Sequence, residues 1–138
     1  MRRASGSRAS VTRRPSRAVA LARVRKLCLA LPETSERLSH GAPTFFVRDN
    51  APFVMFLDNH HGDGRLALWC AAARGVREVL VASSPTYYFV PPYVGYLGWV
   101  GIRLDRGLAW ARITEAIEDA YLARAPNALR GRGSARRP

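Results

Sequence analysis

Asp58, His60, His61 and Asp63 fall within six residues and carry the side chains that suit zinc or iron, since imidazoles and carboxylates are good ligands for both. Spacing argues against such a centre. Adjacent histidines in an extended chain point to opposite sides, and Gly62 and Gly64 mark an exposed tip, so the stretch reads as a polar hairpin turn. His40, just before Gly41, has the chemistry of a general base or a phosphate contact. Acid–base or nucleophilic work needs a partner, and no serine, cysteine or carboxylate stands at motif spacing from it. Neither GxxxxGK[ST] nor GxGxxG occurs, so no phosphate cradle of the usual kind is expected. The reading is therefore of a protein that is not an enzyme, with no catalytic residue, no metal and no cofactor.

The second chemistry-bearing stretch is 86–105, TYYFVPPYVGYLGWVGIRLD. Prolines fix φ and glycines permit positive φ, so Pro91, Pro92, Gly95, Gly98 and Gly101 set among Tyr93, Tyr96 and Trp99 describe a shaped loop that feeds a strand. Two readings of the rings stand side by side. They form a stacking platform for bases or a partner's side chains, or a satellite apolar cluster that ties the loop down. Arg74, Arg77 and Arg103 are the arginines of the body that would serve beside such a platform, with His40 as a further contact.

Charge is unevenly placed. Of 22 Lys and Arg, six lie in residues 1–17 and five in residues 124–138, both without an acid, leaving eleven against all ten Asp and Glu in residues 18–123. The net charge of +12 therefore belongs to the ends. Flexible arginine tails bind polyanions by counterion release, with little sequence preference. Their Gly, Ser, Pro and Arg content also predicts disorder over residues 1–16 and 127–138. Cys28 and Cys70 are far apart and in apolar contexts, which fits reduced core thiols in a cytoplasmic protein. The arginine pairs near the start are followed by an apolar run cut at Arg23, Arg25 and Lys26, so no export signal is read. The uncharged stretch 79–102 is long enough to cross a bilayer, but Pro85, Pro91, Pro92 and three glycines would leave backbone groups unpaired in lipid.

The elements that must carry these residues follow from periodicity. Ala20, Val24, Leu27, Cys28 and Leu31 form one stripe of a helix over Arg17–Leu31, with Ser16 as N-cap and Pro32 as stop. A short strand is expected near 35–40. Residues 43–49 and 53–59 read as an antiparallel hairpin turning at Asn50-Ala51-Pro52, and the second strand, apolar on both sides, should be central. In residues 65–71, Leu66, Leu68 and Cys70 oppose Arg65, Ala67 and Trp69. A short helix beginning at Arg74-Gly75 has Val76, Val79 and Leu80 as its apolar stripe. Residues 87–90 and 99–105 are strands, the latter with Val100, Ile102 and Leu104 opposite Trp99, Gly101, Arg103 and Asp105. A last helix runs over 108–125 on Trp110, Ile113, Ile117, Ala120, Tyr121 and Arg124, and exposes Glu115, Glu118 and Asp119. The sum is an α+β domain over residues 17–126, a mainly antiparallel sheet of about five strands with helices packed on it.

Several ordered motifs give the body a family likeness: LPET at 31–34, HGAPTFFV at 40–47, Gly75, Glu78 and Leu80 of GxxExL, FVPPYVG at 89–95, GWVGIRLD at 98–105 and EDAY at 118–121. From about Arg17 to Pro126 the chain resembles the MmcQ/YjbR family of small bacterial proteins. That resemblance implies a two-layer α+β plan shared with CyaY-like and secretion-chaperone-like folds. It also implies DNA binding through a "double wing" surface, and it carries no catalytic residue across. The first expectation is thus a DNA-binding protein using Arg74, Arg77, Tyr93, Tyr96, Trp99, Arg103 and His40, with the alternative of a protein-interaction or self-associating domain using the same loop.

Overall fold

The computed structural model describes residues 16–134, apart from the side chains of Tyr96 and of residues 131–134. The basic stretch before Ser16 lies outside the described residues. Ser16 caps helix α1 (Arg17–Leu29), its hydroxyl accepting from the Val19 N–H. Ala20, Leu21, Val24 and Cys28 make its buried face, one residue in every three or four as an amphipathic helix requires.

Six strands follow: β1 (Thr34–Ser39), β2 (Ala42–Val47), β3 (Ala51–Asp58), β4 (Leu66–Cys70), β5 (Tyr88–Phe89) and β6 (Val100–Arg103). They form one antiparallel sheet in the order β1-β2-β3-β4-β6-β5. The sheet thus has one strand more than expected, and β3 is inside it, as an all-apolar strand should be. Helices α2 (Val76–Ser83), α3 (Trp110–Arg124) and α4 (Asn127–Ser134) complete the described chain. Among the described residues no helix is long and apolar enough to cross a membrane.

Residues paired across antiparallel strands share a face, so the register sorts the sheet into two sides. Phe45, Val54, Cys70 and Val100 are matched in one row, and Phe56, Leu68 and Ile102 in another. These rows belong to the core formed with α1 and α3, where Ile113, Ile117, Ala120 and Tyr121 are buried. Tyr121 meets the Phe53 ring edge-on at 5.7 Å and donates its hydroxyl to the Pro32 carbonyl at 2.9 Å. The opposite face carries Thr44 against Met55, and Met55 against Trp69, which is matched to Gly101.

Three local expectations are corrected. The β2–β3 turn is Arg48-Asp49-Asn50, with Arg48 and Asp49 at positive φ (51° and 63°), so it begins two residues before the expected Asn50-Ala51-Pro52, and Ala51 and Pro52 belong to β3. Three residues separate the partners Val47 and Ala51, and the Asn50 N–H closes the turn on the Val47 carbonyl at 3.3 Å. Pro52 enters β3 beside the register shift at Phe45/Phe46, one of the few places where a sheet tolerates a residue without an N–H. Second, the α2 stripe is not buried: Val76 and Val79 are exposed. Val76 and Leu80 border an open pocket of about 390 Å³ against α3 instead of a closed core. Third, the stretch after Pro126, expected to be disordered, is helical over Asn127–Ser134, and Leu129 is only 1% exposed. One buried leucine is the anchor that compositional reading of an arginine-rich segment overlooks.

Candidate binding cleft on the open face of the sheet

The side of the sheet away from α1 and α3 is not flat. Its floor is Thr44, Met55, Leu57 and Trp69, and the segments joining the strands rise around it. At one end stand the β1–β2 turn with His40 and the β3–β4 turn with His60 and His61. Along one side runs the 91–98 loop, with Tyr93, Val94, Leu97 and Trp99. Arg124 closes the far end, its Nε donating to the Pro52 carbonyl at 3.0 Å. The space enclosed is about 590 Å³, within the ~300–1,000 Å³ range of pockets that take small organic ligands.

The β3–β4 turn is built to hold its histidines at the rim. Asn59 adopts φ 56°, and its side chain accepts from the Gly64 N–H at 2.8 Å while its own N–H donates to the Arg65 carbonyl at 2.7 Å. Asp63 accepts from the Arg65 N–H at 2.9 Å. The chain between is a 3₁₀ turn, His60–Gly62, with His61 at φ 50°, ψ 35°. Opposed histidines were expected from an extended backbone; this turn stacks the two rings instead, 4.1 Å apart and 14° from parallel. The nearby carboxylates are turned to arginines, Asp58 to Arg17 at 3.7 Å and Asp63 to Arg65 at 3.8 Å. Among the described residues no group of three or more His, Cys, Asp or Glu is placed to hold a metal ion.

His60 also meets Trp69 edge-on at 4.8 Å, and Tyr93 stands edge-on to His60 and His61 at 6.0 and 6.3 Å. Two buried nitrogens in this group, Nε2 of His60 and Nε1 of Trp69, have no hydrogen-bond partner among the described residues. An unpaired buried polar group costs about 1–3 kcal/mol, so a pair of them in one cleft wall calls for a function. Burial foremost, and then the neighbouring His61, lower the His60 pKa from 6.5, with Asp63 pulling the other way. His60 is accordingly neutral at pH 7 and offers Nε2 as donor or acceptor according to tautomer.

The residues singled out in the sequence divide between two environments. His40, Tyr93 and Trp99 come together around the cleft. Trp99 is 5% exposed and Tyr93 65%, so the outward ring is the tyrosine. The Tyr96 side chain lies outside the described residues. The arginines are elsewhere, and Arg103 and Arg77 are occupied. Arg103 pairs with Asp105 through two hydrogen bonds of 2.9 and 3.1 Å, and Asp105 also accepts from the Leu66 N–H at 3.2 Å. Hydrogen bonding to Asp105 raises the Arg103 pKa against the effect of burial. Arg77 donates to the Gly95 carbonyl and to Glu78, fastening the loop to α2. Arg74 is exposed at the head of α2. Thr44, Met55 and Trp69 were not anticipated as part of a site. Trp69 had been placed on the face opposite Leu68 and Cys70, and that alternation was the available signal.

A YjbR family model matches residues 29–123. The chain belongs to the YjbR family. Among solved structures, this YjbR domain is similar to the crystal structure of the Deinococcus radiodurans protein DR2400, described as a DUF419 domain. The TM-score is 0.66 at 18% identity, over 83% of this chain and 87% of that one. At that identity the likeness speaks for the fold alone. No curated protein matches. The match spans β1 to α3, so the six-stranded sheet, the two turns and the 91–98 loop all fall inside the YjbR region, whereas both arginine-rich ends fall outside it.

Proposed function

We propose that this YjbR protein is a cytoplasmic, non-enzymatic DNA-binding protein whose affinity is mainly electrostatic and resides in its ends. The observation that carries this reading is the segregation of charge. Residues 1–15 hold five arginines and residues 130–138 four, with no acid in either. The body, by contrast, spends its positive groups internally. Arg25, Arg48, Arg65, Arg77 and Arg103 each face a carboxylate, and Arg23 and Arg37 lie over the Trp110 and Phe46 rings. A body so neutralised gives little field to steer a polyanion, while acid-free ends release counterions freely.

Binding of a DNA duplex by the full chain should weaken steeply with salt, the slope of log K against log salt being about −0.9 per phosphate contacted. Replacing Arg2, Arg3, Arg8, Arg13 and Arg14 together with Arg130, Arg132, Arg136 and Arg137 by glutamine should flatten that slope and remove most of the affinity. Unchanged affinity and slope in the variant would move the DNA surface onto the body, and absence of binding by the parent chain at low salt would end the DNA reading.

A second reading, a self-associating or partner-binding domain, is favoured by the exposed Leu38 on edge strand β1, at 70%, and by Leu97 beside Tyr93. Exposed apolar edges invite strand pairing. Light scattering decides it: a monomer whose mass does not change with concentration, or on Leu38→Lys substitution, removes the self-associating form.

A further inference from the structure

We infer that the open-face cleft is a binding site for a small, planar, largely apolar molecule bearing an anionic hydrogen-bond acceptor, an aromatic carboxylate being the simplest member of the class. The inference goes beyond DNA binding and does not depend on it.

Shape and lining set the body of the ligand. The cleft is bounded by two turns at one end, by Arg124 and Pro52 at the other and by the 91–98 loop along a side. Its volume of about 590 Å³ suits one or two fused rings and not a nucleic-acid strand. Met55, Leu57, Leu97 and the faces of Trp69, Trp99 and Tyr93 give apolar and aromatic contact, the surroundings in which planar rings are preferentially held.

Polar groups set its charge. Indole Nε1 can only donate, and the Trp69 Nε1, on a side chain 98% removed from solvent, has no acceptor among the described residues. His60 Nε2 stands in the same condition beside it, with the two rings 4.8 Å apart. Among the described residues no lining side chain is a carboxylate, and Arg124 is the one with a permanent charge. A donor without an acceptor, an imidazole and a guanidinium in one acid-free cleft select an acceptor, preferably a negative one. Tyr93 marks the mouth of the cleft: its ring is mostly exposed and stands against both histidines.

The test uses the ¹⁵N-labelled full chain, whose three tryptophans give three indole N–H signals. Trp69→Phe identifies the Trp69 signal by its loss. Titration with 2-naphthoate should move that signal downfield and saturate at one equivalent. Trp69→Phe should bind roughly tenfold or more weakly, the loss expected for one hydrogen bond to a charged acceptor. Met55→Trp, which fills the floor, should abolish binding, and 2-naphthylmethylammonium, with the same rings and the opposite charge, should not bind. Should Trp69→Phe fail to fold, the Met55→Trp variant and the ammonium compound still decide. No saturable shift with naphthoate overturns the site. Equal affinity for the ammonium overturns the ligand class, and indifference to both substitutions overturns the location.

Discussion

Substituting Gly101 by alanine puts a methyl group where the fold has no room. Gly101 lies on β6 between Trp69 of β4 and Phe89 of β5, and a Cβ built on it would stand 2.4 Å from Cε2 and Cζ of Phe89 and 2.6 Å from Cδ2. Carbon atoms in good contact are about 3.5–4.0 Å apart, so the ring must withdraw by about 1 Å or leave. Withdrawal is resisted by the Arg65 guanidinium, 3.9 Å from the ring centroid. Overpacking of this kind costs about 1–3 kcal/mol. Ejecting the ring instead forfeits about 1.5–3 kcal/mol of burial and ~0.5–1 kcal/mol of cation–π attraction. Alanine's advantage over glycine in a strand, ~0.5–1 kcal/mol, offsets part of either route, leaving a net loss of about 1 kcal/mol for withdrawal and about 2 kcal/mol for ejection. Urea unfolding of Gly101→Ala, Phe89→Leu and the double variant measures it. The double variant should be more stable than the sum of the single losses predicts, by ~1 kcal/mol, because a smaller side chain at 89 vacates the clash. A single variant within about 0.5 kcal/mol of the parent, or strict additivity, would refute the close-approach argument.

Two further outcomes follow from buried titratable groups. Burial pushes the Asp105 pKa up, but the Arg103 hydrogen bonds, the Leu66 N–H and the charges of Arg103 and Arg106 outweigh it and hold the pKa below the ordinary 3.8. A carboxylate with a lowered folded-state pKa gives its full stabilisation above the unfolded value, near pH 4, and loses it as pH falls through the folded one. Asp105→Asn should therefore be less stable at pH 7, by about 3 kcal/mol for a broken buried pair, and should lose less on going from pH 4 to pH 2. Parallel urea midpoints for the two proteins across that range would contradict the assignment. Burial also pushes the Cys28 and Cys70 thiols well above their usual pKa. Iodoacetamide at pH 8 should thus label neither in the native protein and both in urea; native labelling at the rate of a free thiol would mean that either site is open.

The elements were legible because period and punctuation agree in this chain. Ser16 and Pro32 bracket an i, i+4, i+7 stripe, and alternation in 99–105 puts Val100 and Ile102 on the core side, where both are buried. What one strand's pattern could not show is how much covers its second face. Trp99 and Arg103 occupy the expected side, yet the first is enclosed by the loop and the second by Asp105, a residue two positions away that alternation places on the same side. The cleft was illegible for a related reason. His40, Thr44, Met55, His60, Trp69 and Tyr93 come from three strands and three connections, and the spacing that unites them is across the sheet and not along the chain.

The backbone gives an independent reason to regard that cleft as more than a gap in packing. Among the described residues seven non-glycine positions have positive φ, and His40, His61 and Tyr93 are three that line it, with Asn59 next to a fourth lining residue, His60. Glycine would occupy such a conformation without the ~1 kcal/mol or more that a bulky side chain costs there. At His40-Gly41, between the paired Ser39 and Ala42, positive φ at both residues is what a two-residue hairpin demands, and the chain puts an imidazole at the first of them. Positive φ at His61 and Tyr93, which no two-residue hairpin demands, together with two unpaired nitrogens in the same wall, is a cost in stability that packing alone does not require. The cleft lies within the YjbR region and the arginine-rich ends lie outside it, so the two proposals stand or fall separately, one tested by shape and the other by ionic strength.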